Sequence, residues 1–246
     1  MVYFFQPNKL YQKKRLNHKM RNAGGRLLLA VVIFIGLITA IRLVWMNYLG
    51  TLNYPNAPAA VDGVLDLRNI QFNQHQTLEL NGEWEFYPGT FLHVQNETAE
   101  PKIVHVPGSW NESATAEHPA FRYGSYRLVL LLDENQDQMF GLRLSRVGNA
   151  SAVYVNGNPL GASGHPSTVP EQHQAKNLPY IVTIPPSGDK LEITVLVSHH
   201  AGEGGIYKPL RFGTIDAIQK RDFLLAGLQL LLCVFALFNS LYGLIL

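Results

Sequence analysis

The sequence is almost without cysteine: its one Cys, Cys233, lies in an apolar segment near the end of the chain. The long polar stretch that precedes this segment therefore cannot form an internal disulfide, and its own core has to stabilise it. At about 170 residues, the stretch is long enough to bury such a core.

Acidic residues are absent from the first 61 positions, where eight Lys and Arg residues occur. Seven of these precede an apolar segment at residues 27–49, and a basic flank of this kind indicates the cytoplasmic side of a membrane. The other 12 basic residues are outnumbered by 18 acidic residues, so the body of the chain is acidic. An acidic surface does not favour phosphate contacts, and we expect no nucleic acid partner.

The motifs of common catalytic sites are missing as well. The sequence contains no Gly-x-Ser-x-Gly elbow, no His-Glu-x-x-His motif and no Gly-x-x-x-x-Gly-Lys-Ser/Thr loop. Glycosidase chemistry needs a carboxylate pair at a defined separation, and nothing in the sequence pairs the glutamates in this way. His199 and His200 come at the end of a predicted strand, where neighbouring residues point to opposite faces, so they cannot both bind one metal without a bulge. The sequence predicts no catalytic residue, no metal and no cofactor.

What is present is a frame of two apolar segments, residues 27–49 and 223–246, around the body. About 23 residues of helix span roughly 34 Å, which is enough for the hydrocarbon core of a bilayer. A cleaved signal sequence is the alternative for the first segment. The apolar run continues beyond Arg42, and Trp45 and Tyr48 suit an interfacial aromatic belt, which favours a retained anchor.

The second apolar segment ends with the sequence and contains the polar residues Gln229, Asn239 and Ser240. Polar groups in lipid bind partners on neighbouring helices, which favours the first helix of a multi-helix bundle over a lone helix. We expect a longer multi-pass protein of the cell membrane, with residues 50–220 extracytoplasmic and the N-terminus cytoplasmic. Residues 216–222 are predicted to be a short polar hinge between the body and this helix.

The body has the pattern of a β-sandwich, with short alternating runs between turn residues. In residues 83–87, Trp84 and Phe86 alternate with two glutamates, which predicts that Trp84 packs in the core. Asn156-Gly157 is a hairpin turn because both residues tolerate positive φ. Residues 161–177 are predicted to be a long loop of the kind that binds ligands. The predicted strands are residues 63–67, 77–80, 83–87, 102–106, 125–132, 140–147, 151–155, 180–184, 191–198 and 210–213.

Several motifs resemble a known jelly roll. They are, in order, Leu80-Asn-Gly-Glu-Trp-Glu-Phe, Val106-Pro-Gly-Ser-Trp-Asn, Tyr123-Gly-Ser-Tyr-Arg-Leu, Ala152-Val-Tyr-Val-Asn-Gly-Asn-Pro-Leu-Gly and Val197-Ser-His-His-Ala-Gly-Glu-Gly-Gly-Ile-Tyr-Lys-Pro-Leu-Arg-Phe-Gly. The first four are similar to the sugar-binding domain of β-galactosidase-type and β-glucuronidase-type glycosidases. The last looks closer to a fold relative, the extracellular domain of bacterial seven-transmembrane receptors with diverse intracellular signalling modules. The resemblance covers about residues 63–246.

The resemblance implies a receptor whose jelly roll senses a ligand outside the cytoplasm. A histidine kinase, diguanylate cyclase or phosphatase module would follow the membrane helices, so enzyme activity is expected of the longer protein and not of this segment. The alternatives are a membrane-tethered carbohydrate-binding module that does not signal, and an enzyme domain. The expected partners are a small polar or saccharide ligand, the lipid bilayer and a second copy, in a homodimer formed through the membrane or output region.

The predicted ligand site combines a stacking surface with hydrogen-bond donors at the rim of the sandwich. It includes some of six residues that lie in loops or at strand ends where the resemblance places the rim, namely Trp110, Arg122, His165, His199, His200 and Tyr207. The predicted organisation is a basic tail at residues 1–26, a membrane helix at 27–49, a linker at 50–62, a β-sandwich at 63–215 and a membrane helix at 223–246.

Overall fold

The computed structural model describes residues 9–92, 100–109, 121–133, 138–145, 147–200 and 204–245. The chain divides into two compact units, Met1–Thr51 and Leu52–Leu246. In the first unit a single helix, α1 (Lys9–Thr51), extends over 43 residues. The large apolar side chains of α1 between Val31 and Val44 are exposed.

The second unit is mainly β. Its elements, in chain order, are β1 (Val64–Asp66), β2 (Leu78–Leu80), β3 (Gly82–Pro88), β4 (Lys102–Val106), β5 (Gly108–Ser109), β6 (Phe121–Leu131), β7 (Phe140–Leu144), β8 (Ala150–Val155), β9 (Asn158–Ser163), a one-turn 3-10 helix (Pro170–Gln172), β10 (Tyr180–Ile184), β11 (Lys190–His200), β12 (Gly205–Ile206), β13 (Leu210–Thr214) and α2 (Ile215–Ile245).

The strands form two large sheets that face each other across one core. The seven-stranded sheet has the order β4-β3-β6-β11-β8-β9, with β1 added in parallel beside β6, and the four-stranded sheet has the order β10-β7-β13-β2. A two-stranded ribbon joins β5 to β12. The predicted fold class, a β-sandwich flanked by two apolar helices, is confirmed.

Strand alternation decides which side chains enter the core. In β11, Leu191, Ile193, Val195 and Val197 all point inward and are fully or almost fully buried. Trp84 of β3 is also fully buried, so its predicted core position is confirmed. The even-numbered residues of β11 lie on the outward face of the seven-stranded sheet, where water normally solvates an antiparallel sheet.

Four parts of the predicted secondary structure are wrong in detail. The structure has three further strands, β5, β9 and β12. The predicted loop at residues 161–177 begins inside β9, whose residues pair with β8. Among the described residues that were predicted to end this strand, Ser145 and Val147 do not continue β7. The predicted hinge at residues 216–222 forms the first two turns of α2, which begins at Ile215, directly after β13.

The two ends of the sandwich are distinguished by α2. Thr214, the last residue of β13, pairs with Phe140, and Phe140 also pairs with Ile184, the last residue of β10. Five residues lead from Ile184 to the start of β11, so Lys190 lies toward the same end as α2. His199 is nine residues further along β11, roughly 30 Å away at the far end of the sandwich.

Two helices in the described part of the chain are long and apolar enough to cross a membrane, judged by length and composition. They are Val31–Thr51 within α1 and Ile215–Leu241 within α2.

Candidate functional site

Arg122 and His199, two of the predicted site residues, lie together at the far end of the sandwich. They face each other in the register of β6 and β11, so their side chains are on the same face of the sheet. That face is the inward one, because Val195 and Val197 precede His199 on it. His199 is only 8% exposed, whereas Arg122 is half-buried.

Two other residues of the predicted site, Tyr207 and His200, also lie at this end of the sandwich. Tyr207 is half-buried and comes directly after β12. Strand β12 lies beside the end of β11. The Gly148 amide donates to the Gly205 carbonyl of β12 at 2.9 Å, and the Gly148 backbone packs against Val197 of β11. His200 ends β11 and pairs with Phe121, while Trp110 lies outside the described residues.

His165 is placed elsewhere, on the outward side of the seven-stranded sheet. It lines a cleft of about 520 Å³ that we call the outer cleft. The floor of the outer cleft is made by outward-facing residues of three adjacent strands, and its wall is made by two loops. The floor includes Leu196 of β11, Ala152 and Tyr154 of β8, and Ala162 of β9, and the wall includes Phe91 and residues 164–168.

Two buried serines hold these loops on the sheet. Ser125 of β6 and Ser198 of β11 point outward, yet both are 0% exposed. The Ser125 hydroxyl donates to the Thr90 carbonyl at 2.8 Å and accepts from the Leu92 amide at 3.1 Å. These contacts place Phe91 against the ring of Tyr123, with the ring centroids 5.4 Å apart.

Ser198 does the same for the second loop. Its Oγ accepts a hydrogen bond from the Ser167 amide at 3.3 Å and lies 2.8 Å from Nδ1 of His173. Residues 165 and 174 bond each other through both backbone groups, at 2.9 and 3.1 Å. The loop is therefore closed on itself as well as attached to the sheet.

Gly164 begins this loop with a φ of +76°. A Cβ at this position would lie 2.3 Å from the Gln174 carbonyl oxygen and 2.9 Å from the Lys176 nitrogen. Because both neighbours are backbone atoms that other bonds hold, no larger residue fits. The glycine thus permits the close approach of the two halves of the loop.

The outer cleft is uncharged over its described lining. Its polar groups come from Tyr154, His165, Ser167 and Thr168, and no Asp, Glu, Lys or Arg is among the residues that line it. Partial burial raises the pKa of the Tyr154 phenol, which therefore stays neutral at physiological pH.

A charged cluster lies on the same outward face, nearer to α2. Arg127 bonds Glu192 at 2.7 Å and Glu85 at 3.3 Å, and Tyr87 donates to Glu85 at 2.9 Å. Burial alone would lower the pKa of Arg127, but its bonds to Glu192 and Tyr87 raise it overall, so this guanidinium stays charged. The cluster pairs its charges internally and does not line the cleft.

A second cleft, of about 440 Å³, lies where the chain enters the domain. It is lined by residues 54–58 and by Asp66 and Arg68, among others. Asp66 and Arg68 form an exposed ion pair at 2.5 Å, and the hydrogen bonds from Arg68 lower the pKa of Asp66 to about 2. The two charged groups of this cleft are therefore already paired with each other and are less available to a ligand.

At the opposite end, polar side chains join the start of α2 to the domain. Arg221 is 7% exposed and donates to the Asn53 Oδ1 at 2.7 Å, and to the Leu52 carbonyl and the Thr77 Oγ1, both at 3.3 Å. Asp222 pairs with Nε of Arg143 in β7. We call these residues the junction cluster.

Among the described residues, no group of three His, Cys, Asp or Glu side chains could hold a metal ion. Reasoning from the sequence missed most of the outer cleft and the junction cluster. An alternation of small and aromatic outward residues, Ala152 and Tyr154, was the available sign of a cleft floor.

No protein-family model and no curated protein matches the chain. Solved structures with a similar arrangement include beta-glucuronidase 2 of Bacteroides uniformis, with a TM-score of 0.44 and 22% identity over 56% of this chain and 18% of that chain. Another is a beta-glucuronidase from Ruminococcus gnavus, with a TM-score of 0.42 and 15% identity over 58% of this chain and 28% of that chain. A third is a beta-galacturonidase from Eisenbergiella tayi, with a TM-score of 0.39 and 17% identity over 60% and 26% of the respective chains. The chain thus spans less than a third of the glycosidases that it resembles.

Proposed function

We propose that this chain is the ligand-sensing part of a bacterial membrane receptor. In this proposal the β-sandwich lies outside the cytoplasm and binds a small polar ligand of the saccharide class. The helix α2 passes the signal to a membrane bundle, and a histidine kinase or diguanylate cyclase module supplies the output. A homodimer through the membrane or output region is part of the same proposal.

The observation that carries the proposal is the direct continuation of β13 into α2. Thr214 ends the strand and caps the helix, because its Oγ1 accepts a hydrogen bond from the Ala217 amide at 3.2 Å. The same hydroxyl donates to the Asn73 carbonyl at 3.0 Å. No flexible residues separate the sheet from the helix, so a displacement of the sheet also displaces the helix.

The first turns of α2 are also part of the domain core. Ala217 and Ile218 are each 1% exposed. Gly141 of β7 lies so close that an added Cβ would be 3.1 Å from Ile215 and 3.2 Å from Ile218. Packed interfaces of this kind move between discrete arrangements and do not deform continuously, which suits a signalling element.

The junction cluster extends this connection to the start of the domain. Arg221 of α2 bonds Leu52 and Asn53, so the chain enters and leaves the domain at adjacent points. A carbohydrate-binding module that is only tethered, the alternative function, needs none of these contacts. The contacts therefore favour a sensor over a tether.

Hydrogen exchange on the full chain in lipid nanodiscs tests the proposal. The chain is mixed with a panel of neutral methyl glycosides, and exchange is followed separately in the β-sandwich and in residues 215–224. For a sensor, the glycoside that binds changes exchange in both regions. Binding that changes the sandwich and leaves α2 untouched would support the tether instead.

A matched variant carries a flexible Gly-Ser insertion between Thr214 and Ile215. It should retain binding and lose the response in α2, since the helix cap and the direct connection are broken. An unchanged response in the variant would contradict the proposed route.

The proposed topology has its own test. Single cysteines replace Ser187 and Asn17 in a Cys233→Ser background, and intact cells are treated with an impermeant thiol reagent. The proposal expects labelling at position 187 only, and labelling at position 17 would overturn it.

A further inference from the structure

We infer that the outer cleft is the ligand site, and that it takes an uncharged saccharide whose pyranose ring stacks on Tyr154. This inference rests on the proposed function, because it names the site and the chemical class of the sensed ligand. It differs from the rim site predicted from the sequence, because His165 is the one described residue of that set that lines the outer cleft.

The first argument is that the sheet is covered here in an unusual way. The outward face of an antiparallel sheet is normally solvated, yet Leu196, Ser125 and Ser198 are at most 2% exposed. Two loops cover these residues and leave a cleft between them. The space is bounded by backbone that is attached to the sheet, and its volume is in the range of small-molecule sites.

The second argument is that the walls are already formed. Ser125 and Ser198 each hold one loop by two polar contacts, and the loop at residues 164–178 closes on itself through the pair of backbone bonds between His165 and Gln174. Pro159 and Pro166, with fixed φ angles, line the cleft. A preformed wall loses little conformational entropy when a ligand binds.

The third argument concerns the chemistry of the lining. Ala152, Ala162 and Leu196 make an apolar floor, and Tyr154 adds a partly buried aromatic ring. Hydroxyl and imidazole groups at Ser167, Thr168 and His165 surround that floor. A pyranose has the matching character, with an apolar ring face and a hydroxyl edge.

The lining also excludes charged relatives of such a ligand. A uronate or an amino sugar would lose water around its charge, and no side chain of opposite charge is among the described residues that line the cleft. The rim differs in this respect, because Arg122 supplies a cation there beside the almost fully buried His199. The charge of the bound ligand therefore distinguishes the two sites.

The test uses the full chain in nanodiscs and isothermal titration calorimetry with three sets of probes. The sets are neutral methyl glycosides, the corresponding uronates and amino sugars, and neutral oligosaccharides, which separate a free sugar from the end of a glycan. Ala162→Trp fills the cleft from an exposed edge strand without disturbing the core. Ile103→Trp is the matched control, since Ile103 is 47% exposed on β4 of the same sheet and outside the cleft.

We expect a neutral probe to bind, Ala162→Trp to abolish binding and Ile103→Trp to leave it unchanged. Tyr154→Ala should weaken binding by about two- to tenfold, the range for a stacked aromatic ring. Thermal unfolding of each variant should match that of the unmodified chain.

Other results overturn the inference in distinguishable ways. If Ala162→Trp binds normally and Arg122→Ala does not, the ligand binds at the rim, and the proposed sensor function survives. If uronates or amino sugars bind more tightly than neutral probes, the ligand class is wrong. If no probe binds, both this inference and the saccharide part of the proposed function are wrong.

Discussion

Replacement of Arg221 by methionine should destabilise the domain chiefly through the loss of buried hydrogen bonds, because little apolar contact is lost. Methionine keeps much of the aliphatic stem and removes the guanidinium, which is buried and makes three hydrogen bonds. The groups that accept these hydrogen bonds differ in whether another donor can replace the guanidinium. The Leu52 carbonyl keeps its bond from the Thr77 amide at 2.8 Å, whereas the Thr77 hydroxyl is 0% exposed and cannot bond water instead.

The magnitude follows from these contacts. A hydrogen bond to a charged group contributes about 1.5–3 kcal/mol, and the 2.7 Å bond to Asn53 is the only one of the three with short geometry. Removal of a buried charge offsets part of the loss. We expect Arg221→Met to lower the free energy of unfolding by about 2 kcal/mol, which lowers Tm by roughly 4–8 °C in a domain of this size.

The assay is thermal unfolding of the full chain in detergent, followed by tryptophan fluorescence, with Arg211→Met as the matched control. Arg211 is a half-buried arginine on β13 that pairs with Glu79 at 3.3 Å, and such a pair contributes less than about 1 kcal/mol. If the two variants lose the same stability, the junction cluster does not hold α2 to the domain, and the argument for direct coupling fails.

Three further predictions concern single positions. Gly82→Ala should lower the free energy of unfolding by more than about 3 kcal/mol, because φ is +115° and the new Cβ would lie 2.4 Å from the Ala60 carbonyl oxygen. Gly157→Ala, which has open space around it, should lower the free energy of unfolding by only about 1 kcal/mol, and thermal unfolding measures both. Ser198→Ala should speed amide exchange at residues 165–173 while α2 exchanges as before, and unchanged exchange in this loop would show that Ser198 does not hold it. Burial raises the pKa of Tyr180 to about 12, whereas the usual pKa of tyrosine is about 10. The stability that the neutral phenol contributes is therefore present below pH ~10 and is lost as the pH rises toward the pKa of the folded state. Tyr180→Phe should therefore lose less stability than the unmodified chain between these pH values, and equal losses would contradict the shift.

The two strands whose bounds sequence reasoning predicted best are each flanked by a proline on both sides, Pro101 and Pro107 for β4 and Pro179 and Pro185 for β10. The predicted bounds of β4 and β10 match the structure, and β11 extends its prediction by one residue at one end and two at the other. The missed strand β9 contains Pro159 and Gly161, two residues that weaken the pattern of a strand. β5 and β12 contain two residues each and have no pattern to detect.

The error at residues 216–222 has a different physical cause. Polar residues between a sheet and an apolar run resemble a solvated hinge when only the local sequence is considered. Here Arg221 and Asp222 find partners in Asn53 and Arg143, which are 168 and 79 positions away. Contacts at this separation are invisible in a single sequence.

The same limit explains the candidate site. The resemblance placed His165 and His199 in one rim because they lie in a loop and at a strand end. In the structure, strand alternation turns His199 inward, whereas the loop of His165 lies over the outward face of the seven-stranded sheet. The outer cleft depends on serines that bond loop residues 25 to 35 positions away along the chain. Only the residue types of its floor, in the alternation of β8, were readable in advance.

The proximity of Leu52 and Asn53 to Arg221 has a consequence for how such a protein can change over time. The first and last residues of this domain lie close together, as the two ends of a loop do. Domains with adjacent ends tolerate insertion into other proteins, because the host needs to separate its own segments only slightly. The β-sandwich can therefore be exchanged as a cassette between two helices, provided that the replacement ends in a strand that runs directly into the second helix. In the proposed receptor, the ligand specificity of the β-sandwich would then evolve separately from the output module.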